Sequence, residues 1–149
     1  MTAEEGSGRG LLDTSTVILL SRLAEPSQLP AEPLISAVTL AELSVGPLVA
    51  HTDAERAVRQ AHLQQAENDF EALPFDAAAA RAFGQVASSL RRAGRKPAAR
   101  AYDAMIAAVA IANSLPLYTC NPADFAGIEG IEVVAVPHPG AAPPARDQS

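Results

Sequence analysis

The stretch GRGLLDTSTVILLSRL, residues 8–23, decides the fold, because a short apolar run in it ends at an acid before apolar residues resume. The pair Leu11-Leu12 is apolar on consecutive residues, as expected for a strand that is covered on both faces. Asp13 follows at once, and residues 16–22 are a predicted short helix. An acid at this position either caps the helix or belongs to a site at the end of the strand.

The same alternation of short apolar runs and helical segments continues along the chain. Further candidate strands are residues 34–37, 72–75, 116–119 and 131–136. Candidate helices are residues 39–50, 52–71, 76–94 and 102–113. Strands that alternate with helices predict a parallel sheet with helices on both faces. We therefore expect an α/β fold, a three-layer α/β/α sandwich around a mostly parallel sheet.

The length of 149 residues fits one domain with a core of its own. We expect a flexible leader over residues 1–10, the folded domain over 11–137, and a disordered, proline- and alanine-rich tail over 138–149. The leader lacks the pattern of a signal peptide, and no apolar run approaches the roughly 20 residues of a membrane span. The sequence therefore predicts a soluble, cytoplasmic protein.

The net charge is −6, from 17 acidic and 11 basic residues. That sign is unusual for a nucleic-acid binder, because affinity for phosphate comes mainly from lysine and arginine. Five of the basic residues nevertheless lie in one short segment: Arg91, Arg92, Arg95, Lys96 and Arg100. The chain is thus acidic overall, with one basic segment.

Four acids follow a predicted strand or begin a predicted helix: Asp13, Glu42, Asp103 and Asp124. Because the carboxyl ends of parallel strands meet at one edge of a sheet, we expect these acids to converge there. Carboxylates placed so close together repel one another, and their pKa values rise unless a cation holds them. A hard divalent ion bound by oxygen ligands, Mg²⁺ or Mn²⁺, is the cation that such a cluster favours.

Each acid also has a purely structural interpretation. Asp13 is a candidate cap for the helix that follows it, and Asp103 is a candidate N-cap for the buried helix 102–113. Thr39 and Glu42 fit the T-x-x-E pattern of a capping box. Asp124 lies in a polar loop, where a turn residue is expected. A site is indicated only by the four positions taken together.

The segments LLDTSTVI, SAVTLAEL, RAYDAMIAAVA and LYTCNPADF resemble the four motifs of the PIN-domain family. More closely, they resemble the VapC toxins of bacterial toxin–antitoxin pairs, in the right order from about residue 11 to residue 136. The resemblance implies a PIN-like fold, a parallel sheet between helices, and the activity of a metal-dependent ribonuclease.

The resemblance carries the family's acidic positions onto four residues of this chain, as catalytic residues and metal ligands: Asp13, Glu42, Asp103 and Asp124. It carries supporting polar positions onto Ser15, Thr119 and Asn121. The implied cofactor is Mg²⁺, with Mn²⁺ as a substitute, and it activates a water that attacks a phosphate of the RNA. Asp13 and Asp103 are the expected principal ligands, and Asn121 is an alternative to Asp124.

The resemblance also implies partners. It predicts an endoribonuclease toxin that cleaves tRNA, rRNA or mRNA and inhibits translation until a VapB-like antitoxin binds it, with a homodimer and a toxin–antitoxin hetero-oligomer. The basic segment 91–100 either holds the RNA backbone beside Asp103 or is an ordinary solvated helix end and loop. The alternative function is a non-catalytic PIN-like module that binds protein or RNA. The four filled acidic positions favour the enzyme.

Overall fold

The computed structural model describes residues 8–23 and 28–140, which form a five-stranded parallel sheet with helices on both faces. The strands are β1 (Arg9–Leu12), β2 (Glu32–Ser36), β3 (Ala72–Leu73), β4 (Leu117–Thr119) and β5 (Val133–Ala135). The helices are α1 (Thr14–Leu19), α2 (Ala37–Leu48), α3 (Asp53–Asp69), α4 (Ala77–Arg92) and α5 (Ala101–Ala112). The predicted α/β sandwich is confirmed. Most of the predicted leader and tail, residues 1–7 and 141–149, lies outside the described residues.

The strand order β3-β2-β1-β4-β5 puts β1 at the centre of the sheet. In the parallel register, Leu11 pairs with Leu34 on one side and with Leu117 on the other. The chain runs outward from β1 to β3 and then returns to β4 on the opposite side of β1. Sheets of this kind form binding sites at the carboxyl ends of the strands where the order reverses. Here that position lies between β1 and β4, immediately before Asp13.

Successive strand residues contribute to opposite layers of the core, because side chains alternate across a pleated strand. Leu11, Leu34 and Leu117 pack with α4 and α5, whereas Leu12 and Ile35 pack with residues of α1 and α3. Helix α5 is buried almost all round, as its apolar sequence predicts, and residues 106–110 have no exposed surface. The two apolar layers explain the consecutive apolar residues of the short strands.

Helix α2 begins two residues earlier than predicted. Its N-cap is Ser36, whose hydroxyl accepts a hydrogen bond of 2.9 Å from the backbone N–H of Val38. Thr39 lies inside the first turn, so the capping box that the sequence offered for Thr39 and Glu42 does not form. Glu42 is placed in the second turn of the helix, one turn further along than the prediction had it.

Two other helix starts differ from the predictions in ways that affect the acids. Helix α1 begins at Thr14, and its N-cap is Asp13, whose side chain accepts a hydrogen bond from the backbone N–H of Thr16. The prediction that Asp13 caps this helix is therefore confirmed. Helix α5 begins at Ala101, after a 3₁₀ turn over Pro97–Arg100, so Asp103 lies in its first turn and is not its cap.

The remaining boundaries agree closely with the sequence. Thr52 and Asp76 cap α3 and α4 through their side chains. Gly94, with φ of 78°, follows the end of α4 in the left-handed conformation that glycine adopts most readily. The run 72–75 yields only a two-residue strand. Among the described residues, none of the helices combines the length and the apolar character needed to cross a membrane.

Candidate active site

Asp13 lies at the tip of β1, and only 3% of its surface is exposed. Its Oδ1 accepts hydrogen bonds from the backbone N–H of Thr16, at 3.1 Å, and from the Thr16 hydroxyl. Its Oδ2 accepts bonds from the hydroxyls of Thr119, at 2.7 Å, and Ser15, at 3.2 Å. These bonds fix the carboxylate. Capping does not exclude a role in a site, because each carboxylate oxygen can accept more than one bond.

The residues after β4 extend this network. The Thr119 hydroxyl accepts a bond of 2.9 Å from the backbone N–H of Asn121, and the Asn121 amide donates one of 3.0 Å to the Ser15 hydroxyl. The backbone N–H of Cys120 donates a bond of 3.0 Å to the Thr16 hydroxyl. The three residues predicted as supporting polar groups therefore lie together around Asp13 and connect the ends of β1 and β4.

Glu42 faces the same region from α2. Its carboxylate accepts a bond of 2.5 Å from the Thr14 hydroxyl, which also lies 2.9 Å from the hydroxyl of Thr39. Burial raises the pKa of Glu42, the bond from Thr14 opposes that effect, and the charge of Asp13 raises the pKa further. The carboxylates of Glu42 and Asp13 are therefore close enough for the charge of Asp13 to affect the pKa of Glu42.

Asp103 projects from the first turn of α5, with 27% of its side chain exposed. The start of a helix favours a charged carboxylate. The pKa of Asp103 is nevertheless raised to about 6, first by burial and then by the charges of Asp124, Glu42 and Asp13, and the charge of Arg100 only partly opposes this. The structure thus brings the four predicted acids into one electrostatic cluster, the acid cluster, formed by Asp13, Glu42, Asp103 and Asp124.

Arg100 contacts this cluster, although its sequence position predicted an RNA-binding segment. Its Nη1 lies 2.9 Å from Oδ1 of Asp124 and 3.8 Å from Oδ2 of Asp103. Its position three residues before Asp103, on the same side of a helical turn, was the available signal for an ion pair.

Among the described residues, the other members of the basic segment form no ion pair with the acid cluster. Arg92 donates a 3.0 Å bond to the carboxylate of Glu129. Arg95 donates to the backbone carbonyl oxygens of Ala126, at 2.7 Å, and Ala123, at 3.3 Å. These bonds hold the 3₁₀ turn over Pro122–Phe125, which carries Asp124. Arg91 and Lys96 are exposed, and their binding to RNA stays a prediction.

Two open cavities adjoin Glu42. One, of about 370 Å³, is lined by Glu42, Ala98, Arg100, Ala101, Tyr102 and Asp103. The other, of about 310 Å³, is lined by Thr14, Ile18, Leu43, Gly46, Arg59 and His62 together with Glu42. His62 of α3 lines the same cavity as Glu42, and nothing in the spacing of α3 indicates this.

The donor set fits a hard divalent cation, because carboxylate, hydroxyl and amide oxygens are the ligands that Mg²⁺ prefers. The pKa of Asp103 is raised first by burial and then by the charges of Asp124, Glu42 and Asp13, and a bound cation would offset those charges. Within residues 8–23 and 28–140, however, no group of three or more Asp, Glu, His or Cys side chains is arranged so that it could hold a metal ion. Arg100 lies against two of the four acids. A cation would therefore require these side chains to rearrange.

Comparisons with known proteins identify the family. The PIN domain matches residues 11–130. Ribonuclease VapC5 of Mycobacterium tuberculosis is 39% identical over 132 residues, which cover 85% of this chain and 95% of that protein.

Solved structures agree as well. A crystal structure of VapBC-5, a VapBC-family toxin–antitoxin system of M. tuberculosis, matches with a TM-score of 0.74 and 38% identity over 87% of this chain and 99% of the other. FitAcB of Neisseria gonorrhoeae matches with a TM-score of 0.65 and 28% identity, over 87% and 96% of the two chains. The chain therefore belongs to the PIN-domain family and, within it, to the VapC-type ribonuclease toxins of toxin–antitoxin systems.

Proposed function

We propose that this protein is a magnesium-dependent endoribonuclease that cleaves RNA at the acid cluster. The observation that carries the proposal is the convergence of the four acids beside the carboxyl ends of β1 and β4, where burial and then the charges of the other three acids raise the pKa of Asp103. Clustered carboxylates of this kind suit a divalent cation and, through it, phosphoryl chemistry. The ribonuclease named among the relatives supports RNA as the substrate.

Asp13 and Asp103 would be the principal ligands of Mg²⁺ or Mn²⁺, and Glu42 and Asp124 would complete the site directly or through water. When bound, such an ion polarises the phosphate and lowers the pKa of a bound water. The protein's own contribution begins with Asp13, whose geometry is fixed by the bonds from Thr119 and from the start of α1. A carboxylate that is already oriented needs no reorganisation when the reaction begins.

Glu42 and Asp124 have the freedom that Asp13 lacks. Glu42 has one hydrogen bond, from Thr14, and borders both cavities. Asp124 is 39% exposed and lies on the 3₁₀ turn. We assign to these two residues the orientation of the attacking water on the RNA-facing side. The exposed bases Arg91, in the last turn of α4, and Lys96, just before the 3₁₀ turn that precedes α5, are suited to attract the RNA backbone.

We further propose that a VapB-like antitoxin inhibits the enzyme, and that the protein forms a homodimer and a hetero-oligomer with this antitoxin. The relatives with solved structures include complexes described as VapBC toxin–antitoxin systems. Four apolar side chains of α2, α3 and the residue after α2 are exposed and offer a surface for a partner: Val45, Leu48, Val49 and Val58. In this role the protein acts in the cytoplasm and inhibits translation by cutting tRNA, rRNA or mRNA.

The test is cleavage of a panel of RNAs by the purified full chain with Mg²⁺ or Mn²⁺, with EDTA as a control. We expect cleavage that EDTA abolishes and that Asp103→Asn reduces at least 100-fold, because loss of a principal ligand removes the metal's contribution. The matched control is Asp69→Asn, which changes the charge equally at an exposed position on α3. Cleavage that persists in EDTA and in Asp103→Asn would contradict the proposal.

A non-catalytic RNA- or protein-binding module is the second candidate. The observation in its favour is the pairing of Arg100 with Asp103 and Asp124, which occupies two acids that a metal would need. A wild-type protein that binds RNA or a VapB-like peptide without cutting any RNA of the panel, at any tested divalent-ion concentration, would establish this alternative.

A further inference from the structure

The guanidinium of Arg100 occupies the position where the acid cluster most needs positive charge. Its Nη1 contacts Asp124 at 2.9 Å and approaches Asp103 at 3.8 Å. Among the residues that the structure describes, Arg100 is the one cationic side chain that forms an ion pair with any of the four acids. It therefore supplies, within the chain itself, part of the charge compensation that a divalent cation would supply.

Arg100 and a divalent cation are expected to exclude each other. The oxygens that face Arg100 belong to two of the acids that would bind the metal. Two cations placed this close repel each other even in bulk water, and they repel more strongly at the edge of a protein, where the effective dielectric constant is lower. A divalent ion among these oxygens would therefore drive the guanidinium away from them.

The position of Arg100 also permits it to leave. The residue ends the 3₁₀ turn that precedes α5, and 37% of its side chain is exposed along one wall of the cavity beside Glu42. An arginine side chain has several rotatable bonds, and a half-exposed ion pair is held by little net free energy. No backbone movement is needed for the guanidinium to rotate into the solvent.

We propose that Arg100 is an exchangeable internal counter-ion: it pairs with Asp124 and Asp103 while the metal is absent and releases them when the divalent cation binds. The metal affinity of the protein is then set by this exchange, and the metal-free protein is protected from the repulsion among its own carboxylates. The inference rests on the proposed function, because it needs the acid cluster to be the metal site.

The first experiment is calorimetric titration of Mn²⁺ and Mg²⁺ into the metal-free full chain, with wild type, Arg100→Gln and Arg100→Lys compared. We expect Arg100→Gln to bind metal about three- to tenfold more tightly, since no counter-ion has to be displaced. Arg100→Lys, which keeps the charge, should stay within about threefold of wild type. The matched control Arg91→Gln removes one exposed charge from the end of α4 and should change the affinity by less than about twofold.

Thermal unfolding gives a second readout, in which Arg100→Gln lowers the melting temperature in EDTA although it raises the metal affinity. In EDTA, Arg100→Gln should melt at a lower temperature than wild type, because the carboxylates lose their counter-ion. Saturating Mn²⁺ should raise its melting temperature by more than it raises that of wild type. If Arg100 only braced the turn, its loss would lower the melting temperature equally with and without metal, and it would weaken metal binding.

A third readout needs no loss of the side chain. In wild-type protein with ¹⁵N-labelled arginine, the side-chain Nε–H signal of Arg100, assigned through its absence in Arg100→Lys, should shift and exchange faster with water as Mg²⁺ is added. The Arg95 signal, which belongs to a side chain bonded to backbone carbonyls, should not change. An Arg100 signal that stays fixed at saturating Mg²⁺ would overturn the proposal.

The outcomes separate this inference from the proposed function. Metal binding by wild type that is lost in Asp103→Asn, with equal or weaker binding in Arg100→Gln, overturns the counter-ion exchange and leaves the metal site intact. Absence of metal binding by wild type overturns both. Tighter binding by Arg100→Gln together with a moving Arg100 signal supports both.

Discussion

The two sides of the acid cluster are built differently. On the side of β1, Asp13 is almost fully buried and holds four hydrogen bonds from neighbouring groups. On the side of α5, Asp103 and Asp124 are partly exposed, and the partner that they share is Arg100. Neutral hydrogen-bond donors fix the carboxylate of Asp13. The carboxylates of Asp103 and Asp124 are held by one positive charge on the flexible side chain of Arg100.

The difference follows from where the residues lie. Asp13 ends the central strand, so neighbours on β4 and α1 surround it. Asp103 and Asp124 lie at the start of a helix and on a 3₁₀ turn, where their side chains stay partly exposed. The same site can thus combine one ligand whose position is fixed by the fold with others that move when a ligand binds. The following predictions test that contrast, beginning with the largest expected effect.

Asp13→Ala should lower the free energy of unfolding by ~2–4 kcal/mol, the largest change expected. It removes the cap of α1 and the acceptor of the buried Thr119 hydroxyl, in a protein whose described residues contain no buried side-chain polar atom without a partner. Urea denaturation in EDTA measures the change. Asp124→Ala is the matched variant, and it should cost less than about 1 kcal/mol. Equal losses in the two variants would refute the contrast.

Thr119→Val should lower the free energy of unfolding by ~1–2 kcal/mol. The hydroxyl that it removes donates to Asp13 and accepts from the backbone N–H of Asn121, and both groups lose a partner. Thr119→Ser, which keeps the hydroxyl, should stay within about 1 kcal/mol of wild type. The same denaturation series checks both variants, and a loss in Thr119→Ser as large as that in Thr119→Val would contradict the special role of the hydroxyl.

The difference in stability between Asp103→Asn and wild type should depend on pH. The folded protein has a raised pKa for Asp103, about 6 against an ordinary value of 3.8. A group with a raised pKa in the folded state contributes its full stability below the unfolded pKa and loses it as the pH rises through the folded pKa. In EDTA, Asp103→Asn should therefore be more stable than wild type at pH 7 to 8, and this gap should close as the pH falls from 6 toward 4. A gap that does not vary with pH would exclude the electrostatic origin of the effect.

Arg92→Gln should have the smallest effect on stability, within about 0.5 kcal/mol, because its ion pair with Glu129 is exposed. If the basic segment holds the RNA backbone, this variant should raise KM about two- to fivefold at low salt without changing kcat. The increase should fall toward zero as salt screens the charges. A fall in kcat would instead connect Arg92 to the acid cluster.

The sequence was sufficient to predict the layers of the fold and to select the four acids that lie close together in the structure. Leu11 and Leu12, both apolar and adjacent, indicated a strand covered on both faces, and the acids were found because they follow strands or begin helices. The predicted start of α2 was wrong because Ser36 and Thr39 are both residue types that cap helices. Ser36 ends β2, paired with Leu73, and this tertiary constraint decided between them.

The contacts that assemble the site were beyond sequence reasoning. The bond between Thr119 and Asp13 spans 106 residues and depends on the placement of β4 beside β1. Arg100 lies close to Asp103 in the chain, but its shorter contact is with Asp124, 24 residues away. A local pattern shows which residues have suitable chemistry, whereas the strand order decides which of them meet.

The central position of β1 also has a consequence for synthesis on the ribosome. β1 gains its second neighbour only when Leu117 arrives, and Asp13 gains its bond from Thr119 only two residues later. At about 5–20 residues per second, the ribosome needs on the order of 5 to 20 s to proceed from the first acid to that threonine. Until then, a nascent chain carries its first acid without the bond from β4, with only the donors of Ser15 and Thr16 beside it. The ribosome that makes this protein would be exposed to a complete acid cluster only after Asp124, the last of the four acids, has been made.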